Sequence, residues 1–443
     1  MNICVVGMGY VGLVTSACFS TKYNVMGIDI KKEIVDNLRK GGVHIYEPKL
    51  KEMIENSIQK GKLWFDTNLE NAVLNSDIVF ICVNTPSDSL GQYDLTYVLA
   101  VSEQIGKILS NKRGTTIVVC KSTLPPNGHK EVINIIKNNN PLDNWVYVSN
   151  PETLSEGTAI KDFMEPDRII LGTENQEVID IMKKLYHSIC SQTVYCVGKP
   201  IDAELAKLFS NTTLALRVGM VNEFSRIADK FSESDIGHIL EMVCFDKRIG
   251  SSFMKPGPGY GGSCFPKDVE GLVHSANGVF SPILENLNYS NQVHQLAITD
   301  KIHSIIPKGV ITVWGLTFKA GTDDIRDSPS ITIMRQLVQF GYTIQLHDPM
   351  FKQLPDDLKS KVQVYKSKYD SLIDSQAVIL LTDWQEYKDV DFQAVKESLK
   401  GNVIFDFRNM WYPLFVTSQG LNYYSLGKNY PFLAENLNRI EQI

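Results

Sequence analysis

The sequence predicts an α/β protein in which two parallel-sheet domains are joined by a long central helix. Three observations carry this reading. Short apolar runs alternate with helix-patterned stretches from Ile3 to Val148. The same alternation returns from Val310 onward, and between the two lies Pro200–Glu223, which reads as one uninterrupted helix. With 443 residues, 43% of them apolar and 21% charged, the chain is large enough for two or three ordinary globular domains. A net charge of −6 gives no global attraction to nucleic acid or to an anionic membrane, so an anionic ligand must be met by local lysines and arginines. No apolar run approaches the roughly 18 residues of a membrane span. Met1–Gly7 has no basic stretch and runs straight into a strand pattern, unlike a signal peptide. The eight cysteines show no C-x-x-C spacing and the eight histidines no H-E-x-x-H. Neither a disulfide framework nor a metal site is expected, and a reducing cytoplasm fits best.

Ile3–Val6 reads as the first strand. Gly7-Met8-Gly9-Tyr10-Val11-Gly12 follows at once, then a small-residue helix over Leu13–Ser20. Val25–Asp29 is a second strand ending in an acid. A lone G-x-G-x-x-G is weak, but this one has strand before, helix after and Asp29 at dinucleotide spacing. Its glycines allow the tight turn and let a pyrophosphate reach the helix N-terminus. Asp29 suits ribose hydroxyls and repels a 2′-phosphate, which favours NAD over NADP. The alternative is a structural turn with an unrelated acid. Further strands, Ile78–Val83, Thr116–Cys120 and Val146–Val148, end at Asn84-Thr85-Pro86, Lys121-Ser122-Thr123 and Asn150-Pro151-Glu152. Ligands collect at such carboxyl ends. Asn, Pro and Ser also favour ordinary turns, so both readings stand.

On the central helix Glu204, Lys207 and Asn211 share a face by their spacing. They form either a wet stripe or a polar active-site wall. The rest of the helix is apolar on most sides, which predicts extensive burial. Phe253–Asp268 then carries glycines and prolines that exclude regular structure before Cys264. A helix is expected to begin at Asp268. Cys264, just ahead of it and near Lys267, is placed to favour a thiolate; the alternative is an inert buried cysteine. Arg248, before this loop, has no obvious partner in its own segment. Asn286–Ile306 is helical in pattern and ends at Pro307-Lys308-Gly309.

The last third repeats the first. Val310–Gly315 is a strand, Leu316–Asp327 a polar loop, and Ser328-Pro329 the N-cap and first residue of a helix. Thr343–Leu346 runs into His347-Asp348, echoing Val25–Asp29. Tyr369–Leu381 answers Leu69–Ile81, and Val403–Phe407 ends at Arg408. The fold expected is two Rossmann-like domains, the second without the glycine fingerprint. The boundaries are 1–199, 200–308 and 309–443. Lys319, Arg326 and Arg408 are candidates for a second nucleotide, or else ordinary surface charges.

These motifs, with Asn150–Gly157, Arg248-Ile249-Gly250 and above all Gly261-Gly262-Ser263-Cys264-Phe265-Pro266-Lys267-Asp268, closely resemble the UDP-glucose branch of the UDP-glucose/GDP-mannose dehydrogenase family over nearly the whole chain. The resemblance implies a four-electron oxidation with two NAD, in which Cys264 forms a thiohemiacetal and then a thioester. It implies Lys207 and Asn211 as oxyanion stabilisers, and Asp268, Glu152 and Thr123 as groups that handle water and protons. NAD would be held by Gly7–Gly12, Asp29, Thr85, Pro86, Ser122, Thr123, Glu156, Lys267 and Arg326. UDP-glucose would be held by Glu152, Glu156, Lys207, Asn211, Lys255, Gly259, Tyr260, Gly261, Phe318, Lys319 and Arg408. Arg248 would reach a neighbouring subunit's sugar, implying a homodimer or higher homo-oligomer. Two departures stand out: the family's Glu-Phe-Leu-Arg-Glu-Gly is here Glu152-Thr153-Leu154-Ser155-Glu156-Gly157, and Ile34 replaces a frequently basic residue. The alternatives are a GDP-mannose or UDP-N-acetylmannosamine dehydrogenase, a two-electron hydroxyacid dehydrogenase that does not use the cysteine, and a non-enzymatic NAD-binding regulator.

Overall fold

The structure is a computed structural model and describes residues 1–88, 91–190, 192–276 and 278–430. By contact density the chain divides into two compact units: residues 1–210 with 270–279, and residues 211–269 with 280–443. No described helix is long and apolar enough to cross a membrane.

The first unit holds eight strands: β1 (Asn2–Val6), β2 (Asn24–Ile28), β3 (Leu63–Asp66), β4 (Ile78–Ile81), β5 (Thr116–Cys120), β6 (Trp145–Ser149), β7 (Arg168–Gly172) and β8 (Val194–Gly198). Their order in the sheet is β3-β2-β1-β4-β5-β6-β7-β8. The first six strands are mutually parallel, β6 and β7 meet antiparallel through Ser149 and Gly172, and β7 and β8 are again parallel. Central strands such as β4 and β5 are buried at every residue, as continuous Val/Ile runs covered on both faces must be.

The second unit repeats this order. β9 (Val310–Trp314), β10 (Thr343–His347), β11 (Val362–Val364), β12 (Ala377–Leu380), β13 (Val403–Asp406), β14 (Asn422–Ser425) and β15 (Asn429–Tyr430) line up as β11-β10-β9-β12-β13-β14-β15. All pairs are parallel except β14 with β15. The strand order of a dinucleotide-binding domain is thus present twice. The match of Leu69–Ile81 with Tyr369–Leu381 extends to topology, since β4 lies beside β1 and β12 beside β9. The helix Leu69–Leu74 is reduced in the second copy to a single 3-10 turn, Asp370–Leu372.

The central helix runs Pro200–Ala228, 29 residues, and so extends past Glu223. Its burial is one-sided, because Phe209, Phe224 and Ile227 are exposed. The helix after Cys264 starts at Phe265 rather than Asp268. Pro266 fits in its first turn, where no helical N–H bond is lost. Ser328 occupies the N-cap position before Pro329, but its hydroxyl donates to Leu316 O (2.7 Å) and does not cap the helix.

Candidate active site

The first unit shapes the nucleotide loop. Gly7 N donates to Ile28 O (2.7 Å), and Gly7 adopts φ +95 in a place where a Cβ would stand 2.8 Å from Cys82 O. A Cβ on Gly12 would stand 1.8 Å from Gly7 O, so the third glycine is what lets helix Tyr10–Ser20 close on β1. That helix begins at Gly9 without a side-chain cap, and its first N–H groups are available to a phosphate. Asp29, at the end of β2, accepts from Met8 N (2.8 Å) and Lys31 N (2.9 Å). The half-exposed Asp29, the tight turn and the uncapped helix fit a dinucleotide.

Sequence reasoning passed over Glu47. This buried carboxylate accepts from the Tyr10 hydroxyl and from Gly157 N (2.7 Å), and Gly157 N also reaches the Tyr10 oxygen (3.0 Å). One side chain therefore ties the glycine loop to the Glu152–Gly157 segment that carries Glu156. Its carboxyl pKa is raised by burial. Nothing in local spacing marks it, because its partners lie 37 and 110 residues away in sequence.

The strand ends are tied together. The Thr85 hydroxyl donates to Thr123 O (2.9 Å) and the Ser122 hydroxyl to Val83 O (2.6 Å), which locks the ends of β4 and β5. Pro86 lies exposed beyond them. Lys207 Nζ donates to Glu152 Oε1 at 2.5 Å, and Leu154 N donates to Glu152 Oε2 (2.6 Å). Both side chains are nearly buried, at 6% and 7% exposure, so the ion pair is shielded from water. Lys121 is buried beside them, and its hydrogen-bond partners among the described residues are neutral: Asn150 Oδ1 (3.2 Å), Asn150 O (3.5 Å) and the Tyr186 hydroxyl (3.3 Å). Burial brings its pKa down to about 8.

Glu204, Lys207 and Asn211 are all buried, which rules out the wet stripe. Glu204 is taken up elsewhere, however. Glu204 is occupied by Asn127 N (2.9 Å), His129 N (2.7 Å) and His129 Nδ1 (2.9 Å), at the start of helix Gly128–Asn139.

In the second unit, Asn211 Nδ2 donates to Asp268 Oδ2 (2.6 Å) and Lys267 Nζ to Asp268 Oδ1 (2.6 Å). Asp268 N bonds Cys264 O (2.8 Å), so cysteine and carboxylate sit one helical turn apart. Cys264 is half-buried, and its sulfur is 3.6 Å from the Ser263 hydroxyl. The glycine-rich loop lies against residues 318–327. Gly262 N donates to Arg326 O (2.9 Å), a Cβ on Gly262 would meet the Phe318 ring at 2.9 Å, and one on Gly261 would meet Asp327 O at 2.1 Å. Lys319 Nζ lies 5.6 Å from the Phe318 ring centre. Arg408 donates to Leu381 O (2.7 Å), and its Nη1 stands 3.0 Å from where a Gly257 Cβ would be. Lys255 is exposed at the start of the loop; against the opposing effect of burial, the charge of Arg408, a backbone hydrogen bond and, to a smaller extent, the charge of Lys255 hold the Asp383 carboxyl below its ordinary pKa. Two arginines are engaged locally. Arg326 is paired with Asp324 (2.6 Å), and Arg248 forms a two-pronged pair with Asp246 two residues back, the partner that local sequence reasoning missed.

A dinucleotide loop on a doubly wound sheet, followed by a second domain of the same order, defines a two-domain dinucleotide-binding protein, the class to which NAD-dependent dehydrogenases belong. Family models match the chain in three pieces: the UDP-glucose/GDP-mannose dehydrogenase NAD binding domain over residues 1–190, the central domain over 201–293 and the UDP binding domain over 312–413. The chain belongs to the UDP-glucose/GDP-mannose dehydrogenase family, and its cofactor is NAD. It is 34% identical to the UDP-glucose 6-dehydrogenase of Rhizobium meliloti over 97% of this chain and 100% of that one. It is 36% identical to the Rickettsia bellii UDP-glucose 6-dehydrogenase over 96% and 99%. A UDP-glucose dehydrogenase structure from Pyrobaculum islandicum superposes with a TM-score of 0.86 at 32% identity, covering 92% of this chain and 94% of that one.

Proposed function

We propose that the protein oxidises UDP-glucose to UDP-glucuronate through a covalent Cys264 intermediate. The observation that carries this is the grouping around Asp268. A cysteine at the first turn of a helix is followed one turn later by a buried carboxylate, itself held by Asn211 and Lys267. Bound at Gly7–Gly12 and Asp29, with Thr85, Pro86, Ser122, Thr123, Glu156, Lys267 and Arg326 contributing, NAD supplies the hydride acceptor for each of two oxidations.

In the first oxidation the C6 hydroxyl loses a proton and a hydride and becomes an aldehyde. The Cys264 thiolate, favoured by the helix N-terminus, adds to that carbonyl. The thiohemiacetal is an alcohol again and can give up a second hydride, leaving a thioester. Water attacks the thioester, the carbon–sulfur bond breaks and the thiolate is regenerated. The balance is one sugar nucleotide, two NAD+ and one water giving the carboxylate, two NADH and three protons. Lys207 and Asn211, one turn apart on the same helix, stabilise the oxyanions. Glu152, Asp268 and Thr123 position water and carry protons. Lys255, Gly259, Tyr260, Gly261, Phe318, Lys319 and Arg408, with Glu152 and Glu156, hold the sugar nucleotide. The division of labour is NAD on 1–199, the cysteine loop and dimer contacts on 200–308, and the UDP-sugar on 309–443. The working form is a homodimer or higher homo-oligomer in the cytoplasm, with Arg248 reaching the partner's sugar.

The test is NADH released per UDP-glucose, with GDP-mannose and UDP-N-acetylmannosamine as competitors. Two NADH per UDP-glucose are expected from wild type. In Cys264→Ser acid formation falls far below wild type, because a serine hydroxyl is barely ionised where a thiol has pKa about 8.5. A ratio of one with aldehyde accumulating, or wild-type acid formation by the variant, overturns the scheme.

A further inference from the structure

Pro256-Gly257-Pro258-Gly259-Tyr260 cannot enter a ladder or a helix, since its prolines lack N–H donors. Gly257 and Tyr260 are nevertheless buried, and buried backbone groups require partners. Side chains from two helices supply them. Asn222, on the central helix, accepts from Gly257 N (3.0 Å), and His294 Nε2 donates to Gly257 O (2.8 Å). Asn291 accepts from Tyr260 N (3.0 Å) and donates to Tyr260 O (2.9 Å). It presents to Tyr260 what a neighbouring strand would present. His294 and Asn291 both stand on helix Leu287–Ile305 and are themselves buried, at 1% and 7% exposure. A Cβ on Gly259, which adopts φ +128, would stand 2.7 Å from Asn291 Oδ1, so the amide also sets how closely the loop approaches the helix. The Arg408 guanidinium lies next to the loop, its Nη1 standing 3.0 Å from where a Gly257 Cβ would be.

We propose that Asn291 and His294 are positioning residues that fasten the Gly257–Tyr260 backbone in its ligand-receiving shape before the uridine nucleotide arrives. The proposal rests on the reading that this loop holds UDP-glucose. Fastening in advance removes the ordering cost from the binding step, so its effect appears in nucleotide affinity rather than in the chemical step.

The experiment uses full-length protein and UDP as the probe, with calorimetry for affinity and steady-state kinetics for turnover. Asn291→Ala should weaken UDP binding about tenfold or more, because it strands two buried backbone groups. NAD affinity should stay unchanged and turnover at saturating UDP-glucose should stay within about threefold, whereas His294→Gln, which keeps a donor for Gly257 O, should stay near wild type for UDP. Unchanged UDP affinity in folded Asn291→Ala overturns the proposal. Hydrogen exchange on ligand-free wild type gives a measurement independent of any variant. Slow exchange at Gly257 and Tyr260 is expected, and fast exchange that slows only with UDP overturns the pre-fastening. Wild type that fails to bind UDP would overturn the functional reading instead, and the exchange result would still decide the fastening.

Discussion

Two aspartates show how one residue type is put to two uses. Asp29 and Asp348 follow equivalent strands, and each accepts from the backbone N–H two residues on, Lys31 in one case and Met350 in the other. Each also accepts from the loop after the neighbouring first strand, at Met8 or at Leu316. Asp348 additionally takes Thr317 N (3.2 Å) and Trp384 Nε1 (3.2 Å), and it is 5% exposed. Its acceptor capacity is used internally, while Asp29 stays half-exposed to receive a ribose. His294 is the other residue whose environment has a measurable consequence. Burial lowers its pKa from 6.5 to about 4, with the nearby Arg226 acting in the same direction and the Gly257 carbonyl opposing. The folded state holds it neutral while the unfolded chain protonates it near pH 6.5. Its contribution is therefore fully present above about pH 6.5 and is lost as pH falls toward 4, at roughly 1.4 kcal/mol per pH unit. The expected outcome is that the unfolding free energy of wild type, from urea titration, falls more between pH 7 and pH 5 than that of His294→Gln, by about 2 kcal/mol. Parallel pH dependences of the two proteins would show that His294 does not carry this linkage.

At the scale of elements, the glycine loop depends on one approach that no side chain allows. A Cβ at Gly12 would overlap the backbone oxygen of Gly7, which cannot move without disturbing β1. Gly12→Ala should push helix Tyr10–Ser20 off the loop and weaken NAD binding by about tenfold or more, while UDP affinity stays within about twofold. Titrating NAD and UDP separately into the variant checks this, and unaltered NAD affinity would remove the third glycine from the site. This loop was legible because its whole geometry is written in a few adjacent residues. β5 was legible over Thr116–Cys120 because a buried parallel strand needs an unbroken apolar run. β3, β7, β8, β11, β14 and β15 went unrecognised. Leu63–Asp66, for example, is short and ends in an acid, whereas β8 (Val194–Gly198) is an apolar run that was passed over, although it has no fully buried residue in the fold. The start of the helix at Phe265 was missed because Pro266 reads as a breaker, although the first turn tolerates it. In the candidate site, Cys264, Lys207 and Asn211 were marked by local context and spacing. Glu47, Asn291 and His294 were not, because each is defined by partners brought close only by the fold.

At the scale of the whole molecule, the central helix presents Met220, Phe224 and Ile227 to solvent at one-face spacing, with Phe224 at 39% and Ile227 at 57% exposure. A stripe of this kind suits an interface with a second copy of the chain. In the same unit Arg217 Nη2 donates to Ile249 O (2.8 Å) and Gly250 O (2.9 Å), fixing the backbone just after Arg248. The Arg248 side chain is 88% exposed and is oriented by Asp246 alone among the pairs described. A fixed base beneath an outward guanidinium suits a group that serves another protomer, where its planar fork can meet hydroxyl or phosphate oxygens. If Arg248 acts only as an exposed pair with Asp246, its removal should alter stability and turnover little. If it acts across the interface, Arg248→Ala should lose most turnover, and so should Cys264→Ser. Subunit exchange between the two inactive proteins then restores activity. A hybrid dimer contains one site with an intact Cys264 in its own chain and an intact Arg248 from its partner, while the other site lacks both. Random exchange of equal amounts makes half the dimers hybrid with one working site each, so about a quarter of wild-type turnover should return. Recovery should follow the rate of subunit exchange and disappear if either protein is cross-linked as a homodimer before mixing. No recovery in fully exchanged mixtures would confine Arg248 to its own subunit or exclude it from the site.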